Sequence, residues 1–289
     1  SSSVCALIFY ILIFSFLIVV VMKEKFKGII PIIQTPFTDD GEIDEVSLRS
    51  EVSWAIKVGA DGVGTANASE TSLLSEEERE KVAVIIVDET NGRVPVTICT
   101  GHQGLQVAAK LSKQAQEIGA DAVLVMPFIQ TSVDNYERYY RAIAEAVEIP
   151  VMIQDASYPL PLTLIAELNE EYDHICYVKE ETQHALEKTR EILGALGDRI
   201  TVLGGSGGNY IIEQFPSGVK GWMPGTCLTD RFALVYKTLL EGDLKRARER
   251  FYNGCLPLAN FHSASEKFVT VEKAVLKARG IISSTYCRS

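Results

Sequence analysis

An eightfold alternation constrains this chain more than any other feature. From Gly28 onward a short apolar run, a turn and a helix-spaced amphipathic stretch recur. The runs are GIIPIIQ (28–34), DGVGTA (61–66), VPVTICT (94–100), DAVLVMP (121–127), PVMIQ (150–154), ICYVK (175–179), ITVLGG (200–205) and GVKGWM (218–223). Each is bounded by Gly, Pro or Asp and rich in β-branched residues, as a fully buried strand should be. Between them, SEEEREKVAVIIVDETNG opens on Ser75 with three glutamates in its first turn and stops at Asn91-Gly92; QGLQVAAKLSKQAQEIG stops at Gly119. These are helix start and stop signals. Eight buried parallel strands alternating with helices predict a closed α/β architecture, a (β/α)8 TIM barrel. The open doubly wound alternative lacks its glycine fingerprint at the first strand–helix turn. Residues 22–289 are close to the roughly 250 of such barrels. They read as one domain, with a C-terminal helical appendage: helices near 228–241, 243–254 and 265–279 follow the eighth strand.

Composition narrows function. The chain has 289 residues, 47% apolar and 23% charged, with a formal net charge of −10. That balance and the lack of a basic stripe argue against nucleic acid as a partner. Six cysteines have no paired spacing, so reduced thiols and a cytoplasmic location are expected. Four histidines show no metal-ligand spacing, so no metal is expected. Residues 1–21 are uncharged and apolar. Val4 to Val21 is long enough to span a bilayer. The preferred expectation is upstream sequence translated ahead of Met22, over a membrane anchor or a buried extra helix.

In a (β/α)8 barrel the active site lies at the C-terminal strand ends. Those ends supply Gln34-Thr35-Pro36-Phe37, Asn67-Ala68-Ser69-Glu70, Thr100-Gly101-His102, Pro127-Phe128, Gln154-Asp155, Lys179-Glu180-Glu181, Gly204-Gly205-Ser206-Gly207-Gly208 and Pro224-Gly225-Thr226. Lys179 is the one lysine among them. A lysine in a partly desolvated mouth is a nucleophile for a carbonyl carbon; its plainer use is an ion pair with Glu180 or Glu181. Gln154 and Asp155 end an apolar strand and suit ligand contact. Gly205 and Ser206 lie in a loop that either admits a ligand to backbone amides or simply turns. His102 is either a loop histidine or a base, and Glu70 either caps its loop or acts as a base.

Three segments carry a family resemblance. GIIPIIQTPFTDDGEID (28–44), ASETSLLSEEER (68–79) and YVKEET (177–182) resemble, in order and spacing, the dihydrodipicolinate synthase/N-acetylneuraminate lyase family. The likeness runs over residues 26–280. It implies a class I lyase without a cofactor, in which Lys179 forms a Schiff base with a 2-oxo acid, and an assembly of two or four copies. The departures are specific. The family's Gly-Thr-Thr-Gly-Glu reads Ala66-Asn67-Ala68-Ser69-Glu70. The relay tyrosine of its fifth strand is Gln154. Its Pro-Tyr-Tyr is Pro127-Phe128-Ile129, and the arginine for an aldehyde substrate's carboxylate falls on Pro159. This set is closer to a subgroup resembling 2-keto-3-deoxy-L-arabonate dehydratases. That implies a sugar-acid substrate with its carboxylate near the Asn67, Ala68 and Ser69 backbone, and dehydration in preference to aldol cleavage. A non-catalytic keto-acid binder and a membrane-associated protein are the readings from other classes.

Overall fold

The computed structural model describes residues 25–259 and 265–288. The expectations for residues 1–21, for Cys5 and for His262 fall outside them. Eight parallel strands run β1 Gly28–Ile29, β2 Val63–Gly64, β3 Val96–Cys99, β4 Ala122–Val125, β5 Val151–Asp155, β6 Tyr177–Glu180, β7 Thr201–Gly204 and β8 Gly221–Trp222. The hydrogen-bonded order runs from β1 through β8, β7, β6, β5, β4 and β3 to β2. A bridge from Ile32 to Gly64 joins β1 to β2 and closes the ring. Most strands are shorter than the apolar runs that announce them, while β5 and β6 each end one residue beyond theirs.

The helices follow in chain order: α1 Glu45–Lys57, α2 Glu76–Thr90, α3 Leu105–Ile118, α4 Val133–Ala144, α5 Leu162–Glu171, α6 Ala185–Leu196, α7 Ile211–Gln214, α8 Thr229–Leu240, α9 Leu244–Gly254, α10 Leu256–Ala259 and α11 Ser265–Ala278. Local chemistry sets their ends. The Asp44 side chain accepts the Ser47 N–H at 3.0 Å to start α1. Ser75 and Glu78 exchange a reciprocal pair of bonds at the start of α2. Gly119 and Asn91 stop their helices in left-handed conformations.

Two cores result. The larger lies between sheet and helices and takes Ile153, Val178, Val202 and their outward-facing neighbours. The smaller fills the barrel with Ile30, Ile32, Leu124, Met152, Tyr177, Leu203 and Met223. Strand residues alternate between them, as a period of two requires. That alternation decides which residues at the strand ends reach the mouth. Among the described residues, no helix is long and apolar enough to cross a membrane.

Candidate active site

The mouth is built where β5, β6 and β7 lie side by side. On β6, Tyr177 points into the barrel and Val178 out of it, so Lys179 points in. The register sets Gln154 of β5 opposite Lys179, and Lys179 opposite Leu203 of β7. Lys179 is 4% exposed and Gln154 6%.

The group that joins them is Glu181, one residue beyond the end of β6 and 15% exposed at its side chain. Its Oε1 lies 3.1 Å from the Lys179 ammonium and accepts the Gln154 Nε2 amide; its Oε2 accepts the Ser206 N–H at 3.0 Å. Burial pushes the Glu181 carboxyl up. The Lys179 charge, the Gln154 amide and the Ser206 N–H outweigh it, and the net shift is below the ordinary glutamate value. Because a carboxylate only accepts, Gln154 must turn its NH2 toward Glu181. Its buried carbonyl oxygen is left without a hydrogen-bond partner. Among the described residues, no group of three or more His, Cys, Asp or Glu is placed to hold a metal ion.

The glycines after β7 serve this arrangement. A Cβ on Gly205 would lie 2.4 Å from the Glu181 Cβ. Only glycine lets the loop come close enough for Ser206, itself at φ 50°, to aim its N–H at the carboxylate.

The structure thus brings Lys179, Gln154, Gly205 and Ser206 together and adds Glu181. It turns Asp155 away. One residue past the inward Gln154, Asp155 faces the helix layer, where its Oδ1 accepts the Leu160 N–H at 2.9 Å and its Oδ2 pairs with Lys188 of α6. Beside it Glu180 also faces outward, bonded to Thr182. Burial, and then the neighbouring Asp155, push Glu180 up to about 7. The expectation that Asp155 contacts substrate is therefore corrected by strand alternation.

His102 also stands apart. Tyr139 holds its backbone N–H and C=O, and its Nδ1 accepts the Gly104 N–H at 3.0 Å. No hydrogen bond joins its ring to Lys179, Gln154 or Glu181. On the β2 side, Asn67–Ser69 form a single tight helical turn. The Ser69 hydroxyl is committed, donating to the Ile33 carbonyl and accepting the Ala66 N–H. The first amides of such a turn, those of Asn67 and Ala68, have no carbonyl within it. Asn67 is exposed at the mouth and Ala68 half-buried. Of the two glutamates expected as ion-pair partners for Lys179, Glu181 takes that place and Glu180 does not. Glu181 lies past the end of the strand, and the count of two from Lys179 sets it on the same side.

Comparison with known proteins converges with this geometry. The model of the dihydrodipicolinate synthetase family matches residues 25–289. An L-2-keto-3-deoxyarabonate dehydratase from Azospirillum brasilense is 31% identical over 271 residues, covering 90% of this chain and 87% of that protein. A 4-hydroxy-tetrahydrodipicolinate synthase from Pelobacter propionicus is 34% identical over 246 residues, covering 81% and 82%. Among solved structures, a dihydrodipicolinate synthase from Aquifex aeolicus superposes with a TM-score of 0.84 at 26% identity, over 91% of each chain. A prophage protein of the same family from E. coli, in complex with pyruvate, gives 0.82 at 26%, again over 91% of each chain. With a matching fold, a family match over residues 25–289 and a buried lysine near the end of β6, the chain belongs to the dihydrodipicolinate synthetase family and is a lyase of that family.

Proposed function

We propose that the protein is a Schiff-base lyase that removes water from a 2-keto-3-deoxy sugar acid. The observation that carries the reading is the Glu181 carboxylate, 3.1 Å from the Lys179 amine and bonded to Gln154. In the proposed sequence Glu181 takes a proton from the Lys179 ammonium, and the free amine attacks the C2 carbonyl. Loss of water from the carbinolamine gives an iminium, which acidifies the C3 hydrogens. A carboxylate touching the amine nitrogen lies beside C2 and C3, so Glu181 is placed to take a C3 proton and return one to the departing C4 hydroxyl. The C3–C4 double bond forms as the C4–O bond breaks, and water leaves. Loss of a C5 proton and protonation at C3 turn the unsaturated iminium into a C4–C5 enol, which takes a proton at C4 and loses its hydroxyl proton to become the C5 aldehyde. Hydrolysis of the imine frees Lys179.

The unpartnered Gln154 carbonyl oxygen suits a polyol, since a substrate hydroxyl would satisfy it. The substrate carboxylate is placed against the Asn67 and Ala68 amides, opposite Lys179. The likeness to the Azospirillum dehydratase supports the substrate class. Aldol cleavage is the second reading, because an ionised Glu181 also suits the C4 hydroxyl proton. We further propose a cytoplasmic homodimer or homotetramer. The five free cysteines among the described residues support a reducing compartment, and Ile129 and Val133, each 47% exposed beside α4, supply apolar surface. Product analysis with a 2-keto-3-deoxypentonate tests the reaction. A dioxo acid such as 2-oxoglutarate semialdehyde is expected; stoichiometric pyruvate with an aldehyde would make the protein an aldolase.

A further inference from the structure

The last helix and the tail behind it reach three neighbouring strand ends at once. α11 carries two adjacent charged residues, Glu272 and Lys273, both fully buried. Glu272 turns to the end of β8, where it accepts the Cys227 N–H at 2.8 Å and the Cys227 thiol at 3.1 Å. Lys273 turns to the end of β2 and pairs with Glu70. Its ammonium also donates to the Tyr286 carbonyl at 2.9 Å and lies 4.4 Å from the ring centre of Phe37, in the segment between β1 and α1.

The tail completes the strap. The Arg288 N–H donates to the other Glu70 oxygen at 2.7 Å. Its guanidinium takes Glu78 of α2 in two bonds of 2.8 and 2.6 Å and lies 4.4 Å from the Phe37 ring. Both oxygens of Glu70 are thus held by the C-terminal segment.

Glu70 directly follows the Asn67–Ser69 turn, with a left-handed backbone at φ 58°. A residue with a side chain keeps that conformation only where its surroundings impose it. The strap also crosses the thinnest part of the sheet, since β1, β2 and β8 have two paired residues each. A buried ion pair is poor evidence for stability alone, because apolar residues would close the same space.

The geometry points to Lys273 and Arg288 as positioning residues: through Glu70 they hold the Asn67–Ala68 amides where the carboxylate of the Lys179-bound oxo acid must lie. This rests on the carboxylate placement proposed above.

The test is borohydride trapping of pyruvate on Lys179, titrated against pyruvate concentration. Two variants are used: Arg288→Ala, which frees the tail, and the double variant Glu70→Gln with Lys273→Met, which leaves no single buried charge behind. Lys110→Ala, which breaks an exposed pair with Glu76, is the control. Half-saturating pyruvate is expected to rise on the order of tenfold in both variants, the loss of about one hydrogen bond to a charged group. Trapping at saturating pyruvate and the circular dichroism spectrum stay at wild-type levels, and the control is unchanged. If the double variant fails to fold, Arg288→Ala decides alone. Wild-type half-saturation in the folded variants, or a loss confined to maximal trapping, overturns the inference. A wild-type chain that traps no pyruvate overturns the oxo-acid reading itself, and the control shows the same blank.

Discussion

A carboxylate that touches the Lys179 amine and a glycine that makes room for it define the residue scale. Lys179→Arg keeps a charge beside Glu181 but has no amine nucleophile. It is expected to fold normally and to lose imine formation, read by borohydride trapping together with circular dichroism. Glu181→Gln keeps the shape and removes the proton carrier, so turnover should fall about 10²–10⁴-fold with the variant still folded; near wild-type turnover would remove Glu181 from the mechanism. Because the Glu181 carboxyl lies below the ordinary glutamate value, it stays ionised in the free enzyme down through that range. Its contribution is present above the ordinary value and is lost as pH falls through the lowered one. The acid limb of kcat/KM due to Glu181 should therefore lie below pH 4.5, the usual glutamate position. Gly205→Ala forces a Cβ into Glu181 and should abolish activity well before it unfolds the barrel. The inward, buried position of Lys179 was legible in the sequence because a single charge ends an otherwise apolar run. The same run misleads at Asp155, where proximity to Gln154 suggests a shared role and the two-residue period sends the side chain to the opposite face. Glu181 was legible only as one of two candidate partners for Lys179, because the strand pattern stops before it and does not choose between Glu180 and Glu181.

At the scale of elements, most of the helix boundaries were written in local chemistry. Ser75→Ala removes the cap of α2 and is expected to cost about 1 kcal/mol, with activity unchanged; equilibrium denaturation and turnover check both halves. The packing of α1 and α11 was not legible, because a glutamate in a helix is ordinarily exposed and nothing in the sequence marks Glu51 or Glu272 for burial. In the structure both are fully buried. Burial pushes Glu51 up to about 8 against the Gln34 N–H and Thr226 hydroxyl that oppose the shift, and pushes Glu272 up to about 7 against the Cys227 N–H. The folded values exceed the unfolded value near 4.5, so the folded state holds these protons longer. The associated stability is fully present below pH 4.5 and is lost as pH rises through 7 and 8. The urea midpoint should therefore decline from pH 5 to pH 9, and Glu51→Gln should flatten part of that decline. A midpoint that rises over this window contradicts the burial of these protons.

For the whole molecule, eight alternations were enough to predict closure of the sheet, because parallel strands buried on both faces need helices around them and no exposed edge. The seam was beyond reach: β1 and β2 meet through one bridge, and the C-terminal strap that covers it joins residues about 200 positions apart in the chain. The substitutions at the mouth bear on the choice of reaction. With Gln154, Ile129, Asn67 and Pro159 where the family resemblance implies the synthase relay and its arginine, condensation of pyruvate with aspartate semialdehyde should be negligible in a coupled assay; robust condensation would show that these positions do not decide the reaction. Every step of the account passes through one covalent bond, and peptide mapping after incubation with pyruvate and borohydride tests it most directly. The account predicts a reduced pyruvyl adduct on the peptide containing Lys179 and none elsewhere. An unmodified Lys179, or an adduct on another lysine, would contradict it.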